Sequence, residues 1–248
     1  VGRRFWAGLV PIAAMTLAAP SCGHGGGKSG PDASDGGDAG AVDAGVDAAS
    51  DAGLDLADAG ATCLPTGDAG VAPPDAGLVL VADGTSGFSG TQGACSWSYG
   101  YLEPAGDNAF HLMTDWDAAG PLWWVLRGSY WTLVGPDVQH PNGAVTTGGR
   151  MPVEQWSVRR WTSTVTGNIT ISGSVRKSAD APTGDGVDAR ILVDGVQKYS
   201  QFIAGADTVG VSFAVAAPVA VGSVVDFMLG PHANDATDTT FFSAQIWK

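Results

Sequence analysis

The segment Asn234 to Thr239 reads Asn-Asp-Ala-Thr-Asp-Thr and crowds hard oxygen donors just ahead of the last apolar run. Asp185 and Asp188 flank a second turn at Gly186-Val187. If the two loops converge, Asp185, Asp188, Asn234, Asp235 and Asp238 offer the about six to eight oxygens that a structural calcium ion takes. The same residue types also cap their own loops through Asx-turn hydrogen bonds, and spacing leaves both readings open.

A second kind of chemistry is carried by aromatic rings beside carboxylates. Trp116 stands between Asp115 and Asp117, and Trp123 adjoins Trp124. An aromatic face takes the C–H face of a pyranose while nearby carboxylates bind its hydroxyls. Trp116, Trp123, Trp124, Asp115 and Asp117 are therefore the candidate ligand-binding set. Neighbouring strand residues face opposite ways, so one ring of Trp123-Trp124 is expected in the core and the other exposed or under a loop. Simple packing between layers is the competing role for all three.

Catalysis finds less support. His111, Asp115, Asp117, His140, Glu154 and Asp185 have titratable side chains, but no motif joins them. A glycosidase needs two carboxylates facing across a bond, and the only glutamates are Glu103 and Glu154. Neither a nucleophile elbow nor a metal-ligand histidine cluster occurs. No catalytic residues are assigned.

The elements that must position these side chains are strands. Asn168 to Val175 alternates Ile169, Ile171, Gly173 and Val175 with polar residues, the period of a half-buried strand. Asp188 to Val193 stops at Asp194-Gly195, a hairpin turn signal, and Val196 to Phe202 returns. Val209 to Val215, Val221 to Leu229 and Phe241 to Trp247 supply three more. Residues 78–155 are less regular and rich in aromatics. Eight of the nine tryptophans lie in residues 78–248, and several must be core, Trp161 among them. Short strands at this spacing predict an all-β fold, an antiparallel β-sandwich of jelly-roll type.

Ahead of this block the sequence changes character twice. Residues 1–21 read as a secretory leader, with Arg3 and Arg4, an apolar run from Phe5 to Ala19, and small residues before Cys22. Cys22 is the expected lipid attachment point of a bacterial lipoprotein, although Ala19-Pro20-Ser21 is an imperfect approach to it. Residues 22–77 repeat Asp-Ala-Gly at Asp38, Asp43, Asp51, Asp58, Asp68 and Asp75. With little apolar area to offset ordering entropy, they are expected to be a disordered acidic tether. Residues 78–248 form the domain, long enough for one sizeable core.

The formal charge is −13. No basic patch suggests nucleic acid. Beyond Cys22, Cys63 and Cys95 remain, and in an oxidising compartment an even remainder invites a disulfide between them.

The run Ser157-Val158-Arg159-Arg160-Trp161-Thr162, then Gly167 to Gly173, Gly184-Asp185-Gly186-Val187 with Ile191 to Gly195, Val225-Asp226-Phe227, and Asn234 with Asp238-Thr239-Thr240 resembles the non-catalytic β-sandwich modules of secreted bacterial proteins, akin to carbohydrate-binding jelly rolls. The resemblance implies a core Trp161 and structural roles for the late Asn and Asp. It also implies a polysaccharide as partner; an envelope protein is the alternative partner, for a structural or protein-interaction lipoprotein. A monomer, lipid-anchored to the envelope with outer-membrane or surface display, is the expected form.

Overall fold

Alternation of inward apolar and outward polar residues builds two antiparallel sheets packed face to face. The computed structural model describes residues 63–64, 74–75, 77–179 and 183–248. The leader, Cys22 and all of the tether except residues 63–64, 74–75 and 77 lie outside the described residues. The strands, in chain order, are β1 (Leu80–Asp83), β2 (Trp97–Leu102), β3 (His111–Leu112), β4 (Asp115–Asp117), β5 (Leu122–Trp124), β6 (Leu133–Val134), β7 (Val138–His140), β8 (Trp156–Thr162), β9 (Gly167–Lys177), β10 (Val187–Val193), β11 (Val196–Ile203), β12 (Val211–Val219), β13 (Val224–Pro231) and β14 (Thr240–Trp247). One sheet runs β12-β9-β14-β7-β6-β5-β4, with β1 also paired to β14; the other runs β11-β10-β13-β8-β2-β3. All their strand pairings are antiparallel, as the sequence pattern requires.

The core between the sheets is filled by the alternating sets. Ile169, Ile171 and Val175 face inward from β9, Ile191 and Val193 from β10, and Val225, Phe227 and Leu229 from β13. Gly173 takes its place in this alternation because a Cβ there would meet the Ser243 carbonyl oxygen and lie 2.7 Å from the Phe213 ring. At the predicted hairpin, Asp194 and Gly195 have φ of 49° and 76°, both left-handed, as a type I′ turn demands.

Two strand starts differ from the sequence expectation. Val209 is 89 % exposed, because Gly210 (φ 74°) closes a turn by donating its N–H to Asp207 Oδ1 at 2.7 Å. Val221 is likewise exposed, ahead of the Gly222 turn, and its strand begins at Val224.

The inner face also holds charges that the apolar pattern does not announce. Arg159 is fully buried; its Nη2 donates to the Gly135 carbonyl at 2.7 Å, while Nε and Nη1 have no partner among the described residues. Burial lowers its pKa and pushes the neighbouring Tyr99 phenol up to about 12. Lys177 and Asp238 form a buried ionic pair, Nζ to Oδ1 2.9 Å, with both side chains fully covered. Cys63 is joined to Cys95 by a disulfide, Cα to Cα 5.2 Å.

Candidate functional site

The tryptophan corner is built differently from the expected platform. In the β4–β5 pairing Trp116 lies opposite Trp123, and Trp123 and Trp124 are 6 % and 8 % exposed. Neither ring of the adjacent pair is open. Trp123 packs against Tyr99 and Trp116 and donates its indole N–H to Ser89 O at 2.9 Å. Trp124 lies outside that core cluster yet is buried, and its Nε1 has no partner among the described residues.

Trp116 is half-buried beneath the loop at Gly90, where a Cβ would come within 2.7 Å of the indole. Asp115 accepts the Arg127 backbone N–H, and Asp117 pairs with the Arg127 guanidinium at 2.8 Å. These five residues thus share one corner, but they are joined by packing and hydrogen bonds. They offer no flat exposed aromatic face, because the rings close over one another and over Phe88. Of the eight domain tryptophans, Trp97, Trp123, Trp124, Trp156, Trp161 and Trp247 are buried, while Trp116 and Trp131 are half-buried.

The acidic loops do approach one another, through hydrogen bonds. Asp185 Oδ2 accepts from the backbone N–H of Ala233 (2.9 Å) and Asn234 (3.1 Å). Asn234 Oδ1 accepts from Ala236 N–H in an Asx turn. Asp235 accepts from Gly143 and Thr147, Asp238 pairs with Lys177, and Asp188 lies 3.4 Å from His232. Among the described residues no three His, Cys, Asp or Glu are grouped to hold a metal. Asp185 Oδ1 and Asp238 Oδ2 have no hydrogen-bond partner there.

A different face is the better-formed site. On the six-stranded sheet several of the residues pointing away from the core are also apolar: Trp156, Val158 and Met228 make a second cluster, joined by half-buried Leu102, Phe110 and Leu192. Strand register sets them in rows across β8, β13 and β10. Arg160 stands opposite Asp226, which stands opposite Leu192, and Val158 opposite Met228, which stands opposite Arg190.

Two glycines clear space on this surface. A Cβ at Gly230 would lie 2.2 Å from the Trp156 ring, and one at Gly100 would lie 2.5 Å from the Phe110 ring. The two rings therefore lie close against the sheet, and each is covered by an arginine: Arg190 over Trp156 at 4.3 Å and Arg160 over Phe110 at 3.9 Å. Such cation–π contacts are each worth about 0.5–2 kcal/mol. Arg160 also grips Asp226 through Nε (2.6 Å) and Nη2 (2.8 Å), the bidentate fork.

Between the two stacks is a cleft of about 310 Å³ with Met228, Leu192 and Val158 among its apolar residues and Arg160, Asp226 and Arg190 among its polar ones. An apolar surface with a few convergent polar groups is how small-ligand sites are built, and the volume is at the lower end of their range of about 300–1,000 Å³. None of these cleft residues belongs to the set expected from sequence. The available signal was apolar residues at the outward positions of three strands, Trp156 and Val158 in Trp156 to Thr162, Leu192 in Val187 to Val193 and Met228 in Val224 to Pro231: a strand apolar on one face only would place Val158, Leu192 and Met228 in water.

No protein-family model and no curated protein matches the chain. Among solved structures, a family 35 carbohydrate-binding module from Clostridium thermocellum aligns at 14% identity over 44% of this chain and 88% of that one, with a TM-score of 0.28. A CBM51 module from Clostridium perfringens GH95, in complex with methyl-galactose, aligns at 10% identity over 54% of this chain and 95% of that one, with a TM-score of 0.31. Likeness at this level transfers neither a site nor a ligand.

Proposed function

We propose that this chain is a non-catalytic polysaccharide-binding β-sandwich, held at the bacterial envelope by lipid on Cys22 and carried on the acidic tether of residues 22–77. The observation that carries the binding reading is the cleft on the outer face of the six-stranded sheet, where apolar side chains lie between two arginine-capped aromatic rings. Sugar rings present alternating C–H and hydroxyl surfaces, which suit such a mixture. A hydrolase would need two opposed carboxylates; the cleft lining includes Asp226, which is bound to Arg160.

The test is glycan-array and calorimetric binding with the wild type and Phe110→Ala. Binding of at least one polysaccharide class, weakened about tenfold or more by removing the ring, is the expected result. Uniform failure on plant, algal and bacterial glycans overturns the reading. Anchoring is tested separately by incorporation of a labelled lipid precursor, expected in the wild type and lost in Cys22→Ala. One observation favours a second reading, an envelope protein as partner without sugar binding: no domain tryptophan is exposed. A pull-down that returns a protein partner while every glycan fails selects it.

A further inference from the structure

The disulfide changes which part of the fold bears a pull on the N-terminal segment. Cys63 and Cys95 are 32 residues apart in sequence, and β1 lies between them. With the bond closed, tension on the chain ahead of Cys63 crosses the sulfurs to Cys95 and enters β2 at Trp97, so residues 64–94 stand outside the loaded path. With the bond open, the same tension reaches β1 first. That strand is four residues long and, among the described residues, pairs only with β14, through Leu80–Trp247, Ala82–Ile246 and Asp83–Gln245, with a register shift between the first two. A short edge strand loaded from its end gives up its hydrogen bonds one at a time, and such edges are among the parts of a fold that open most easily. Its loss would uncover Ala82, Ile246 and Trp247, all buried.

β2, by contrast, lies inside the six-stranded sheet between β8 and β3, holds six register pairs to β8 and buries Trp97 and Tyr99 completely. The turn that bears Cys95 is tied to it. Gln92 accepts the Tyr99 N–H at 2.7 Å and donates to the carbonyls of Tyr99 (2.8 Å) and Met113 (2.9 Å), and Gly93 donates its N–H to the Trp97 carbonyl at 2.8 Å. Cys95 and Ser96 have φ of 51° and 64°; left-handed backbone at two successive non-glycine residues persists only where its surroundings fix it. We infer that the Cys63–Cys95 disulfide is a redox-sensitive clamp that delivers tension from the N-terminal segment to β2 and keeps β1 from being peeled off β14. The inference rests on the anchoring reading above for the source of the tension and adds where the fold bears it. A dithiol opens the clamp by thiol–disulfide exchange: the two sulfurs take up two electrons and two protons to become thiols, as the dithiol closes to its own disulfide.

The experiment stretches single molecules of the full chain between handles ligated enzymatically to its two termini, with Cys22→Ser so that Cys63 and Cys95 are the cysteines present. Each molecule is pulled oxidised and again after dithiothreitol has reduced it in its folded state. In the oxidised molecule the first event is expected to be the main unfolding of the sandwich. In the reduced molecule a separate event at lower force should precede it, releasing no more than the 32-residue span, up to about 110 Å of chain. Cys63→Ser should show the same early event without reductant, and because the reduced molecule is compared with itself oxidised, a folding defect in that variant leaves the test intact. A single event in the reduced molecule overturns the inference, whether its force is unchanged or lowered, since a lowered force alone reports only a lost cross-link. An early event already present in the oxidised molecule also overturns it. Lipid on Cys22 is read separately by the labelled precursor, so failure of the anchor and failure of the clamp are distinguishable.

Discussion

Acid should destabilise this fold in part through His140. It lies on β7, is 6 % exposed, packs against Trp131 and has Nδ1 2.6 Å from the Pro141 carbonyl. Burial pushes its pKa down from 6.5 to about 4; the Pro141 carbonyl and Asp235 oppose this, and Lys177 and Arg150 add to it. In the unfolded chain the imidazole takes a proton near pH 6.5, while in the fold it resists down to about pH 4. The stabilisation is therefore complete above pH 6.5 and is lost as pH falls. Each pH unit in that window lowers stability by about 1.4 kcal/mol, so the loss by pH 4 is about 3 kcal/mol. The perturbation is His140→Gln, neutral throughout. Urea unfolding of both proteins from pH 7.5 to pH 4 gives a difference in which the other titrating groups largely cancel. That difference should be constant above pH 7 and should shrink by about 3 kcal/mol towards pH 4. A difference that stays constant, or one that shrinks as pH rises, refutes the reasoning, as does a His140 ring proton titrating near 6.5 by NMR.

The remaining predictions concern the buried charges, the outer face, the acidic loops and the disulfide. Lys177→Met leaves Asp238 uncompensated in the interior and should cost about 3–5 kcal/mol by denaturant titration, most of it regained in Lys177→Met/Asp238→Leu; an unaltered single variant would mean that the pair is not ionic. Asp238 itself is pushed up to about 7 by burial, against the pull of Lys177. Gly230→Ala drives a Cβ into the Trp156 ring and should cost about 1–3 kcal/mol, with glycan binding lost as Arg190 shifts with the ring. Millimolar calcium or a chelator should leave the melting temperature unchanged, since backbone N–H groups and Lys177 already engage the loop carboxylates; a clear upward shift with calcium would establish a metal site. Alkylation of the unreduced protein should label neither Cys63 nor Cys95, and Cys63→Ser should make Cys95 reactive.

Period-two alternation made the fold legible wherever one face met the core. Ile169, Ile171 and Val175, or Val225, Phe227 and Leu229, identify their strands and the side each buries, and Asp194-Gly195 identifies its turn. The site was hidden because it depends on register between strands far apart in sequence: Arg160 meets Asp226 only when β8 pairs with β13. Trp123-Trp124 was legible only in part, for a related reason. Alternation tells which way each ring points but not that Trp124, away from the main core, is also covered. Arg159 obeyed the alternation and broke the chemistry, since its inward position beside Ser157 and Trp161 follows from the period while its charge does not.

The glycines beneath Trp156 and Phe110 bear on how readily the sheet face can bind anything at all. Each ring is wedged against bare backbone and each arginine is laid across a ring, so their rotamer freedom is lost when the chain folds. Immobilising such a side chain at the moment of association costs about 0.5–1.5 kcal/mol. With that entropy already spent, the face meets its ligand preorganised, without a closing loop, and affinity there depends on how well the incoming ring matches a surface set in advance.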